Sequence, residues 1–107
     1  MGPLSPSLQL SKKEQKLITR LLAEQLPGRL VWAYGARVTG QGDGDSDLDL
    51  VVFIPTAEAF TVYTLQESLE QSGLPFRVEL LIWNQVPQSL KQTIQASHLV
   101  LQSGPQI

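Results

Sequence analysis

The chain of 107 residues has no cysteine and a single histidine. Without thiols, neither a disulfide framework nor a thiolate metal site can form, and His98 alone cannot build a histidine-rich zinc site. No apolar run approaches the ~20 residues that a membrane-spanning helix needs, and the N-terminus lacks the apolar core of a signal peptide. A cytoplasmic protein without a membrane segment is therefore the expectation. Positive charge is also scarce: eight basic against ten acidic residues leave a net charge of −2, which gives no general case for nucleic-acid binding through phosphates. There is no internal repeat. What remains, at 42% apolar and 17% charged residues, is the composition of one globular domain with a modest core.

The acids are unevenly spread. The stretch "YGARVTGQGDGDSDLDLVVF" (34–53) places Asp43, Asp45, Asp47 and Asp49 within seven positions, four of the ten acidic residues in the chain. Like charges so close repel, which suits a solvated turn, a calcium loop or a catalytic cation site. The EF-hand pattern fails in both registers, because its glycine and glutamate positions fall on Leu48 and Ile54, or on Leu50 and Thr56. The glycines of "GQGDGD" fail the dinucleotide fingerprint, since Asp45 stands where the third glycine belongs, and the absence of G-K-[ST] excludes a P-loop. Alternation separates the acids further. On a strand, residues i and i+2 share a face about 6.6 Å apart, so Asp47 and Asp49 point together while Leu48, Leu50 and Val52 point into a core. Two such carboxylates suit one or two divalent cations, which prefer oxygen ligands. Asp43 and Asp45 are read as solvated loop acids, and Ser46 as a cap on the turn into the strand.

The rest of the chain divides readily. Residues 1–9 read as a loose arm, 10–102 as the domain and 103–107 as a tail. Ser11 and Glu14 form a capping-box pattern that opens a helix ending at Pro27–Gly28, with Leu17, Ile18, Leu21 and Leu22 on one face. Strands are predicted over 29–35, 47–54 and 76–83, with a loop or short helical turn over 36–46. Helices are predicted over 56–73, with Thr56 as N-cap and Gly73 as the stop, and over 86–97, with Val86, Leu90 and Ile94 in one stripe. The order helix, strand, strand, helix, strand, helix predicts an α/β domain in which helices pack on a mixed sheet of three to four strands. Trp32, Phe53, Phe60 and Trp83 are read as core, His98 as a surface residue, and the group Lys12, Lys13 and Lys16 as a solvated helix face.

The glycine turn at Gly35, followed after about ten residues by Asp47-x-Asp49, resembles the nucleotidyltransferase superfamily, whose signature is G-[SG], a spacer, then D-x-[DE]. At this length the chain resembles the minimal nucleotidyltransferases. "GARVTG" keeps Gly35, Arg37 and Gly40 of their G-S-R-A-R-G, "SDLDL" at 46–50 is intact, and "VELLIW" puts Glu79 where a third acid stands.

The resemblance implies transfer of a nucleoside monophosphate, AMP if ATP is the donor, onto a hydroxyl of a protein or small molecule. In it Asp47, Asp49 and Glu79 are the catalytic and metal-holding residues for Mg²⁺ or Mn²⁺, with Glu79 also helping to deprotonate the acceptor. Gly35, Ala36, Arg37 and Ser46 are the nucleotide-binding positions, Gly35 letting backbone N–H groups approach the phosphates and Arg37 adding a guanidinium. Members of the family often act as the antitoxin partner of a HEPN-domain protein, and so small a chain points to a partner subunit or self-association to complete the acceptor pocket. Three departures stand beside this. Ala36 lacks the hydroxyl of the family's serine, Glu79 replaces the commoner aspartate, and Thr39 stands where a second arginine is frequent. The alternative is accordingly a catalytically weakened antitoxin or binding module that acts through a HEPN-type partner; a structural cation site without nucleotide is a third reading. From the residues alone, Glu79 also has Arg77 or Arg37 as an ion-pair partner.

Overall fold

Helix α1 (Lys12–Gln25) begins where the sequence signals it. Ser11 Oγ accepts from the Glu14 N–H at 3.0 Å, and the Glu14 carboxylate accepts from the Ser11 N–H at 2.9 Å. Each side chain thus satisfies a first-turn donor that would otherwise lack a partner. The computed structural model describes residues 8–107. The arm expected over residues 1–9 lies, for 1–7, outside the described residues. Gln9 is tied into the fold by its main chain, donating to the Arg37 carbonyl at 2.9 Å, and Leu8 and Leu10 pack on the core.

Strands β1 (Val31–Tyr34), β2 (Leu48–Val52), β3 (Val78–Ile82) and β4 (Leu99–Gln102) form one sheet in the order β3-β2-β1-β4. The pairs β1–β2 and β1–β4 are antiparallel, and β2–β3 is parallel. The parallel pair needs a crossover, which α3 (Ala59–Glu70) supplies. The expectation of a small mixed sheet with helices packed on it is met.

Alternation along the strands gives the sheet two unlike faces. Val31, Ala33, Leu48, Leu50, Val52, Val78 and Ile82 form a core with Ile18, Leu22 and Leu26 of α1 and Val62, Leu65 and Leu69 of α3. On the opposite face Trp32, Val51, Phe53 and Trp83 pack with Val86 and with Leu90 and Ile94 of α4 (Gln88–Ala96). The stripe expected at Val86, Leu90 and Ile94 is therefore the one that covers the sheet. Trp32 meets Phe53 edge-on at 4.6 Å and Trp83 at 5.6 Å between ring centroids, geometry that aromatic quadrupoles favour.

Strand β4 is the fourth of the three to four strands expected, over residues to which the sequence assigned no element. Three expectations are corrected. Thr56 caps no helix with its side chain; a 3-10 turn (Thr56–Glu58) precedes α3 instead. Phe60 is 67% exposed, because it lies on the outer side of α3 beside Tyr63, itself 74% exposed. His98 is stacked on Trp32 at 3.7 Å, with its Nδ1 2.9 Å from the Ile94 carbonyl oxygen, because the turn from α4 into β4 folds it onto the aromatic cluster.

Candidate active site

The aromatic face changes character toward the start of β2. The register pairs Tyr34 with Asp49 across β1–β2 and Asp49 with Glu79 across β2–β3, so the three stand in one row over neighbouring strands. Asp47 lies one alternation step before Asp49, on the same face, and is exposed, whereas Asp49 and Glu79 are half-buried. The row thus brings together the three acids singled out in the sequence.

Their charges feel one another. Burial, then Glu79, then Asp47 push the Asp49 carboxyl above its usual value. Burial, followed by the negative charge of Asp49 and of Glu79, raises the Tyr34 phenol to about 12. Tyr34 was not singled out from the sequence, although alternation from buried Trp32 places it on this face; a residue beside a glycine turn gave no chemical signal of its own. The donor set suits a hard divalent cation, which relieves carboxylate repulsion. Among the described residues no three acidic or histidine side chains close into a metal cage. An open arrangement of this kind fits Mg²⁺, which commonly takes only one or two carboxylates and completes its shell with water and substrate phosphates.

Gly35 joins β1 to the short helix α2 (Ala36–Thr39) with φ +84° and ψ −158°, a region that is essentially restricted to glycine. A Cβ there would lie 2.5 Å from the Asp49 Oδ2. Two separate requirements, conformation and space, thus demand glycine at the turn.

Arg37 sits elsewhere than expected of a phosphate ligand. It is 3% exposed, and its guanidinium donates to the carbonyls of Ser46 at 2.8 Å, Gly44 at 3.0 Å and Gln9, while its Cζ lies 4.0 Å over the Phe76 ring. With its donors committed to main-chain oxygens, the side chain holds the 40–46 loop. The reason is local: the Gly44 and Ser46 carbonyls meet the buried guanidinium, whereas the Asp43 carbonyl accepts from the Ser46 N–H at 3.2 Å. Ser46 is a turn residue too, its Oγ accepting from the Asp43 N–H at 2.9 Å. Asp43 Oδ1 accepts from the Asp45 N–H at 2.9 Å, an Asx-type turn on the exposed side. The Ala36 methyl adds no polar group to the Gly35 turn.

A mixed sheet with a glycine turn after its first strand and an acid pair entering its second has the layout of a nucleotidyltransferase fold, and solved structures share it. One is a toxin–antitoxin with AMP-PNP, with a TM-score of 0.66, 22% identity and coverage of 86% of this chain and 74% of that one. Another contains a tri-AMPylated Shewanella oneidensis HEPN toxin in complex with MNT antitoxin, with a TM-score of 0.55, 19% identity and coverage of 86% and 74%. The chain belongs to the family described as polymerase beta, nucleotidyltransferase, whose sequence pattern matches residues 16–106. A probable protein adenylyltransferase, MntA of Haemophilus influenzae, is 31% identical over 96 residues, covering 89% of this chain and 84% of that protein.

Proposed function

We propose that this nucleotidyltransferase moves AMP from ATP onto a hydroxyl of a partner protein. The observation that carries the reading is the acid row: Asp49 flanked by Glu79 and Asp47, its carboxyl raised by burial first and then by both neighbours, on the face beside the Gly35 turn. Adenylylation in particular is supported by the likeness to a probable protein adenylyltransferase and by the fold shared with complexes that hold AMP-PNP or an AMPylated HEPN toxin. A HEPN-domain protein is the proposed partner, the cytoplasm the proposed location, and self-association a further way to complete an acceptor pocket. No helix among the described residues is long and apolar enough to cross a membrane.

In this reaction the acceptor oxygen attacks the α-phosphorus, a new O–P bond forms, the bond to the β-phosphate oxygen breaks, and pyrophosphate leaves. The hydroxyl proton passes to a base, for which Glu79 is the proposed acceptor. Asp47, Asp49 and Glu79 would hold Mg²⁺, or Mn²⁺ in its place, which supplies charge neutralisation for the triphosphate. Gly35 leaves room for main-chain N–H groups of the turn, Ala36 included, to approach the phosphates. Ser46 contributes the shape of the turn that delivers Asp47.

Ala36 favours a second reading, a weakened enzyme that serves as an antitoxin through binding alone, since a hydroxyl contact to the triphosphate is missing. Calorimetric titration of Mg²⁺·ATP into wild type and an Asp47→Asn/Asp49→Asn variant tests the nucleotide site. Incubation with a HEPN-type partner, followed by mass spectrometry for added AMP, then separates the two readings. Binding lost in the variant together with an AMP adduct supports transfer, whereas binding without any adduct supports the weakened form.

A further inference from the structure

The triphosphate of the proposed reaction carries several negative charges, and a site made of three carboxylates needs positive charge from the protein as well as from a cation. The chain has eight basic residues, and the fold disposes of seven. Lys12, Lys13, Lys16 and Arg20 stand on α1, which packs on the opposite face of the sheet. Arg29 is paired with Glu58 at 2.8 Å. Arg37 is buried and donates to three carbonyls. Lys91, on α4, lies 5.1 Å from the Trp83 ring centroid, at the far end of β3 from the acids.

The eighth is Arg77. It immediately precedes β3, and its carbonyl accepts from the Leu48 N–H at 2.9 Å, so the β2–β3 register carries on to set Arg77 beside Asp47. Two residues before Glu79, it falls on the same face, about 6.6 Å along the strand. Phe76 and Val78, on either side, pack into the opposite core, as alternation requires. Arg77 is exposed, and among the described residues its side chain makes no hydrogen bond, ion pair or cation–π contact. It is the one described cation that is both uncommitted and placed at the acid row.

We propose that Arg77 binds the outer phosphates of the nucleotide, taking the part that buried Arg37 cannot play. A guanidinium at the solvent end of the row, next to Asp47, suits a triphosphate tail that extends outward from the acids, and its planar fork matches phosphate oxygens. This inference rests on the nucleotidyltransferase reading.

The test is calorimetric titration of Mg²⁺·ATP, and of AMP, into wild type, Arg77→Ala and Arg77→Lys, with the thermal unfolding of each protein followed without nucleotide. Expected is a loss of ATP affinity of roughly tenfold to a hundredfold in Arg77→Ala, the worth of one charge-assisted contact. AMP affinity should change much less, Arg77→Lys should recover part of the loss, and the unfolding midpoints should match. Equal ATP affinity in wild type and Arg77→Ala overturns the inference while leaving the nucleotide site intact. So does an equal loss for ATP and AMP, or an Arg77→Ala protein that binds Mg²⁺ alone more tightly with ATP affinity unchanged, which would make Arg77 a counter-ion of the acids. Absence of ATP binding by wild type overturns the nucleotide reading and this inference with it.

Discussion

Gly35 and Asp49 approach so closely that a Cβ on the glycine would stand 2.5 Å from the Asp49 Oδ2. The turn and the acid are therefore one unit: the backbone of the first defines the position of the second. Gly35→Ala should lose about 1–3 kcal/mol of stability from the backbone conformation alone. It should also displace the Asp49 carboxylate. Denaturant unfolding measures the first effect, and a fall in Mg²⁺·ATP affinity beyond what lost stability explains measures the second.

Asp49 ties stability to pH. Its carboxyl is raised from 3.8, first by burial, then by Glu79 and Asp47. The native state therefore holds this proton more tightly than the unfolded chain. Stability from this group is full below the unfolded value, declines as pH rises to the raised value and stays lowered at neutral pH. Asp49→Asn, which keeps the shape without the charge, should thus unfold at a higher temperature than wild type at pH 7. The difference should close as the pH falls below the ordinary carboxylate range. Thermal scans at a series of pH values check the sign.

Divalent cations should stabilise wild type and leave the Asp47→Asn/Asp49→Asn variant unchanged. Mg²⁺ or Mn²⁺ bound only by the native state adds about 2.7 kcal/mol at a hundredfold excess over Kd. The unfolding midpoint of wild type should rise with added cation, and that of Asp47→Asn/Asp49→Asn should not. Adding ATP should raise the wild-type midpoint further.

Arg37 holds a loop and not a ligand. Removing its guanidinium leaves the carbonyls of Gln9, Gly44 and Ser46 without their donor, and Arg37→Ala should cost about 3 kcal/mol or more, given ~1.5–3 kcal/mol for a charged hydrogen bond. Amide hydrogen exchange should quicken over residues 40–46 before it does in the sheet. Arg37→Lys should recover little, since one ammonium cannot reproduce the fork.

Tyr34 reports on the acids from the neighbouring strand. Its phenol, raised to about 12, should appear in an ultraviolet pH titration that a Tyr34→Phe variant lacks. Burial is the largest cause of the shift and Asp49 the next, so Asp49→Asn should move the transition downward without restoring the ordinary value of 10.0.

Much of this architecture was legible in the sequence where a local rule had no rival. The Ser11–Glu14 capping box, the separation of Asp47 and Asp49 from Leu48 and Leu50, and the α4 stripe follow from hydrogen-bond reach and periodicity, which need no knowledge of the tertiary fold. Strand β4 was not legible, because four residues after a helix give too short a pattern and its pairing with β1 spans some seventy residues. The Arg37 environment was hidden for a related reason: its carbonyl partners come from Gln9 and from the 40–46 loop, segments whose path no periodicity describes. Phe60 misled because aromatic character suggests burial, whereas its place on α3 turns it outward.

The β2 strand carries one further consequence. Its pairing sets Leu48, Leu50 and Val52 among the helices and Asp47 and Asp49 on the other side. A slip of one residue would exchange the two sets, driving both carboxylates into the core beneath α1 and α3 and moving the leucines to the less buried acid row. A chain mispaired by one position therefore cannot persist as a well-folded but inactive protein, because the error that spoils the chemistry also removes the reason to fold. Quality control over the site is thus written into the hydrophobic code of a single strand.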